Sequence, residues 1–190
     1  MRLQDGTIRH RRRSFDHPGH AHELTFSCYH GYELLSRDRS RNWFIDALEE
    51  ARRKHHFLLL AYVVMPEHAH VLTLPEPVSY EIRCFLKSVK QPVSRRAMNF
   101  LKKTDPAWLE RLTARQPGGK VERHFWQPGG GYDRNIFSTK ALMSVVNYIH
   151  ANPVRRGLVE DPLDWEWSSA RWWAGRRDDA KLAMDEFYWG

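Results

Sequence analysis

A chain of 190 residues suits one packed core and is short for two, so a single domain with small terminal additions is expected. Lys and Arg number 30 against 23 Asp and Glu, a formal +7 that favours a polyanionic partner such as nucleic acid. The two cysteines, Cys28 and Cys84, lack CxxC spacing, and no apolar run is long enough for a secretory signal or a membrane span. The expectation is a cytoplasmic protein, in contact with the nucleoid.

Residues 1–20, "MRLQDGTIRHRRRSFDHPGH", are polar and basic and form an arm outside the core. Within it Arg11, Arg12 and Arg13 are either a solvated tail or phosphate contacts. The domain proper is expected over 21–175, with a tail over 176–190. "ELTFSCYH" (23–30) alternates apolar and polar residues, as in a half-buried strand. "RNWFIDALEEARRKHH" spaces its apolar residues as a helix, with Ser40 as a candidate N-cap. "FLLLAYVVM" (57–65) fits a strand buried on both faces, and after Met65-Pro66-Glu67 the stretch "HAHVLTLP" supplies the second strand of a hairpin.

"SYEIRCFLKSVKQPVSRRAMNFLKK" is a second helix in which Pro92 forces a kink or a break. Residues 104–123 are polar, and a loop with one helical turn is expected. "HFWQPGGGYDRNIFS" places a flexible glycine turn beside one or two strands. "STKALMSVVNYIHANPVRRG" is a helix capped by Ser138 and ending near Asn152, because Pro153 disfavours helical geometry before it. The order β-α-β-β-α-β-α predicts an α+β fold, an antiparallel sheet with helices on one face and the other face open to a ligand.

The tripeptide His-Ala-His occurs twice, at 20–22 and 68–70. Side chains alternate along a strand, so His68 and His70 project together from one face while Ala69 points into the core. Two imidazoles on one rigid surface suit a divalent cation, although exposed strand histidines are also common. His20 and His22 follow Pro18 and Gly19, only His22 is expected to enter the strand, and an ordinary polar loop is the simpler expectation for this copy. On the third helix, residues four apart share a face, which aligns Tyr148 with Asn152. A hydroxyl nucleophile and an amide ligand could then reach over the histidines; alternatively Tyr148 is a core aromatic.

"VVMPEHAHVL", "FWQ", "VVNYIHANPVRRGLV" and "DWEWSSAR", in that order, resemble the single-tyrosine HUH endonuclease transposases, and within them the REP-associated tyrosine transposases. The resemblance runs from about residue 24 to 170. It implies a ferredoxin-like (RRM-like) HUH core that cuts single-stranded DNA. The histidine pair falls on His68 and His70, the nucleophile on Tyr148 and the helix-borne third ligand on Asn152. The implied chemistry is attack by the tyrosine on a backbone phosphate, giving a 5′-phosphotyrosine link and a free 3′-hydroxyl, with Mg2+ or Mn2+ as the cofactor.

The implied partner is single-stranded DNA folded as REP-type hairpins, bound by a monomer, with a homodimer as the alternative. Arg95, Arg96, Lys102, Lys103, Arg155 and Arg156 are candidate phosphate contacts, each equally a solvated surface charge. Trp126, Trp165, Trp167, Trp172 and Trp173 could stack bases, with Trp126 and Trp165 favoured as core. Tyr132, after the glycine triplet, competes with Tyr148 as nucleophile. Two other functions compete: a non-catalytic hairpin binder of the same fold, and an RRM-like RNA-binding module, against which the strands lack the aromatic pattern.

Overall fold

The computed structural model describes residues 16–76, 78–116, 118–129 and 131–187. In chain order it contains β1 (Ala21–Ser27), α1 (Asp38–His55), β2 (Phe57–Val64), β3 (His68–Pro75) and α2 (Ile82–Thr104). There follow α3 (Pro106–Arg111), β4 (Thr113–Arg115), β5 (Val121–Arg123), β6 (Tyr132–Ile136), α4 (Thr139–Arg155) and α5 (Ala170–Trp173). β2, β3, β1 and β6 form one antiparallel sheet in that order, and β4 pairs with β5 in a small separate one. The antiparallel α+β architecture expected from the sequence is the one that forms.

The residues of β2 alternate between two apolar clusters. Leu59, Tyr62 and Val64 meet the helical layer of Phe44, Leu48, Phe85 and Val89, from α1 and α2. Leu60, Ala61 and Val63 meet Leu142, Val145, Val146 and Ile149 of α4. A bulge between Leu59 and Ala61 turns two successive residues to the α4 side. The sequence had placed all helices on one face; α4 instead covers β2 and β3 on the opposite one. Four apolar residues of α4, fully or almost fully buried, demand that cover.

β1 is buried along most of its length rather than half-buried, because on the α4 side Ala21 joins the apolar cluster and Glu23 is paired with Arg134 of β6. The N-cap of α1 is Arg37, not Ser40, whose hydroxyl donates to the Arg37 carbonyl in the first turn. Ser138 does cap α4, accepting from the Ala141 amide. α2 runs through Pro92 and α4 through Pro153. Near a C-terminus a proline removes one backbone bond that burial can offset, and Pro153 is buried. The expected loop at 104–123 contains α3 and the β4–β5 hairpin.

The outer edge of β2 is closed by the C-terminal segment. The Val64 amide donates to the Trp167 carbonyl and the Ser169 amide to the Tyr62 carbonyl. Leu182 and Met184, in the stretch expected to be a tail, are buried.

Candidate active site

His68 and His70 lie on the α4 side of β3, as strand alternation requires, and Tyr148 comes over them from α4. The His68 and His70 ring centres are 4.8 Å apart, and the Tyr148 ring centre is 5.4 Å from that of His70. Tyr148 is 39% exposed, a surface residue rather than the core aromatic that the sequence also allowed. Asn152, one turn further along α4, is buried, and its Nδ2 donates to the Tyr148 carbonyl at 2.9 Å. This bond orients the amide and leaves its oxygen as the group available to a ligand.

Each imidazole is held at Nδ1. His70 Nδ1 shares a hydrogen bond of 3.0 Å with the Thr25 hydroxyl, since Thr25 is the β1 residue opposite it. His68 Nδ1 lies 3.1 Å from Glu67 Oε1, which also accepts from Arg156 Nη2 at 2.6 Å. With Nδ1 engaged in both rings, Nε2 is the nitrogen left to bind a ligand. Burial pushes His70 down to about 3, with His68 adding to the shift. Burial also lowers His68, against the opposing pull of the Glu67 carboxylate. Both rings are therefore neutral at pH 7 and carry the lone pair that a cation needs.

Among the described residues no group of three or more His, Cys, Asp and Glu could hold a metal ion. A cation here would rest on two imidazole nitrogens and the Asn152 amide oxygen, with its other positions filled by water or substrate oxygens. That donor set fits a divalent ion tolerant of imidazole, Mn2+ more readily than the oxygen-seeking Mg2+.

No family model matches the chain. A Haemophilus influenzae protein provisionally named a REP-associated tyrosine transposase is 28% identical over 147 residues, which are 73% of this chain and 77% of that one. The solved structure of a REP-associated tyrosine transposase bound to a REP hairpin matches with a TM-score of 0.65 and 21% identity, over 94% of this chain and 98% of that one. The chain thus shares the fold of a solved REP-associated tyrosine transposase and is similar in sequence to a protein provisionally given that name. A Deinococcus radiodurans structure provisionally named a transposase is more distant, with a TM-score of 0.45 at 19% identity over 73% of this chain and 95% of that one.

In this chain the competing tyrosine is not in a mobile loop. Tyr132 opens β6 and pairs with Thr25, so one row crosses the sheet from His70 through Thr25 to Tyr132. It faces the same side as His70 but stands two strand spacings away, about 10 Å. Gly131, the residue before it, is packed against β1. A Cβ at Gly131, whose φ is +77°, would come 2.5 Å from the Thr25 carbonyl oxygen, and Lys90 Nζ donates to the Gly129 carbonyl at 3.3 Å.

The first His-Ala-His is not a metal site. His22 is buried on β1, with Nδ1 2.7 Å from Asp133 Oδ1 and Nε2 2.7 Å from the Tyr80 hydroxyl, so neither nitrogen is left over. It enters the strand as expected, and its side chain is a buried core group rather than part of a polar loop.

The candidate phosphate contacts divide. Arg155 places its guanidinium 5.2 Å from the centre of the Tyr148 ring, beside the site. Arg156 is engaged by Glu67. Arg95, Arg96, Lys102 and Lys103 are exposed on α2, behind the opposite face of the sheet, and Arg96 pairs with Asp46. Arg11, Arg12 and Arg13 lie outside the described residues. Trp126 and Trp167 are buried, and Trp165 packs on the core with Nε1 donating to the Val64 carbonyl. Thr25, Glu67 and Gly131 were missed from the sequence. Only Glu67, next to His68 in the chain, offered a local signal.

Proposed function

We propose that the chain is a metal-dependent, single-stranded DNA endonuclease and transposase that cuts and rejoins DNA at REP-type hairpins, with Tyr148 as its nucleophile. The observation that carries this reading is the placement of an exposed tyrosine 5.4 Å, ring to ring, from His70, one of a pair of neutral, sheet-mounted histidines whose rings lie 4.8 Å apart. The likeness to the REP-associated transposases supports it, since one of them is solved with a REP hairpin bound.

The Tyr148 phenol oxygen attacks the scissile phosphorus and loses its proton. The bond from phosphorus to the 3′ oxygen breaks, and that oxygen takes up a proton, leaving a 5′-phosphotyrosine link and a 3′-hydroxyl. The reverse displacement rejoins the strand without an external energy source. α4 holds the attacking oxygen on a rigid element beside its own sheet, which favours in-line geometry. His68, His70 and Asn152 would hold the cation, which when bound supplies Lewis-acid stabilisation of charge on the phosphate.

The test is the covalent adduct. The wild-type protein, incubated with a labelled single-stranded hairpin and Mn2+, should give a labelled band that survives denaturing electrophoresis. Tyr148→Phe should abolish that band while leaving hairpin affinity within about twofold, and Tyr132→Phe should retain it. No adduct from the wild-type protein, with hairpin affinity intact, would establish the non-catalytic binder instead.

A further inference from the structure

Arg156 was expected to touch phosphate, and Glu67 was not expected to do anything. The structure joins them to the site. The turn that carries Glu67 is fixed by its backbone: the Cys28 amide donates to the Glu67 carbonyl, the Leu35 amide to the Pro66 carbonyl and the Met65 amide to the His68 carbonyl, each at 2.8 Å. From this anchored turn one carboxylate oxygen meets two partners, His68 Nδ1 at 3.1 Å and Arg156 Nη2 at 2.6 Å. The Glu67 and His68 side chains are only 19% and 16% exposed, so solvent competes weakly for this contact. Arg156 is the C-cap of α4, its amide bonded to the Asn152 carbonyl at 3.1 Å.

We propose that Glu67, braced by Arg156, is a positioning residue that fixes the proton of His68 on Nδ1 and ties the end of the tyrosine helix to the histidine strand. A carboxylate accepts hydrogen bonds and cannot donate them. Its partner nitrogen must therefore carry the proton, and the lone pair is placed on Nε2, where a ligand can use it. The same oxygen links β3 to α4, and thus the histidine pair to the elements bearing Tyr148 and Asn152. Arg156 on this account acts within the protein and not on DNA. The inference rests on the metal site proposed above for its consequence, but not for the tautomer itself.

The tautomer is read on the metal-free protein from the 15N shifts of the His68 ring, and Mn2+ affinity is measured separately by titration. Wild type should show Nδ1–H. Glu67→Ala should move His68 toward the Nε2–H form and weaken Mn2+ binding about 10- to 100-fold, with hairpin affinity kept and cleavage recovered at raised Mn2+. Glu67→Gln retains an oxygen acceptor and the side-chain volume, so it should keep the tautomer and lose less affinity. An unchanged tautomer in Glu67→Ala overturns the proposal. So does an Arg156→Gln variant that loses hairpin affinity with Mn2+ binding intact, since that is a phosphate contact. If His68→Ala and His70→Ala bind Mn2+ as well as wild type, the metal reading fails while the tautomer still decides the role of Glu67.

Discussion

Thr25 shows what a single side chain can add to a site. Its hydroxyl meets His70 Nδ1 at 3.0 Å because strand register puts the two residues opposite each other. Removing that partner frees the ring to rotate and to exchange tautomers. Thr25→Val keeps the shape and removes the oxygen, so Mn2+ affinity should fall roughly tenfold while the thermal midpoint moves little. Calorimetric titration beside a melting curve checks both, and equal metal affinity in the two proteins would remove Thr25 from the site. The histidine pair itself was legible, because side-chain alternation in a strand is a local rule and His68 and His70 obey it. Thr25 was not legible, since no local rule gives the register of β1 against β3. Gly131 was half legible: its glycine character signalled a turn, but its approach to the Thr25 carbonyl is a tertiary fact.

At the scale of elements, α4 does two jobs with two faces. Leu142, Val145, Val146 and Ile149 are buried against β2 and β3, while Tyr148 stands at the edge of that contact with its ring over His70. The position of the proposed nucleophile is thus set by the packing of its neighbours. Ile149→Ala opens a cavity at a fully buried position and should cost about 2–4 kcal/mol. Chemical denaturation reads that loss. At a temperature where the variant is still folded, the rate of adduct formation should fall more than hairpin affinity does, because the helix seat is loosened and the hairpin surface is not. An unchanged rate in the folded variant would show that α4 is held by other contacts.

The period of α4 was readable from sequence, as was its cap at Ser138; the face of the sheet it would cover was not, because an apolar stripe fits either side. Pro153 misled about the end of α4 because its local preference was overridden by burial. The β4–β5 hairpin was hidden by the brevity of its strands, three residues each, which leaves no alternation to detect.

Across the whole molecule, charge and burial set how the fold answers to pH. The titratable groups that matter most are histidines held neutral inside it. His150, on α4 with Nε2 2.8 Å from the Ser169 hydroxyl, is pushed by burial down to about 4. His70 is pushed to about 3 and His68 is lowered as well, both chiefly by burial. In each case the fold prefers the uncharged ring. Above about pH 6.5 both the folded and the unfolded chain carry neutral imidazoles, and these groups give stability no slope. Below that value the unfolded chain takes up protons first, so stability falls as pH falls until the native values are reached. For His150 alone the loss should be on the order of 3 kcal/mol by pH 4, with His68 and His70 adding to it. The metal-free protein should therefore show a denaturation midpoint that is flat from pH 8 to 7 and declines steeply between 6.5 and 4. His150→Gln keeps a polar partner for Ser169 and cannot titrate, so its decline over the same window should be visibly shallower. Added Mn2+ should stabilise the protein at pH 7 and lose that effect toward pH 5, since protons and the cation would compete for the same two rings. A midpoint independent of pH between 6.5 and 4 would mean that the buried histidines are already open to solvent in the native state.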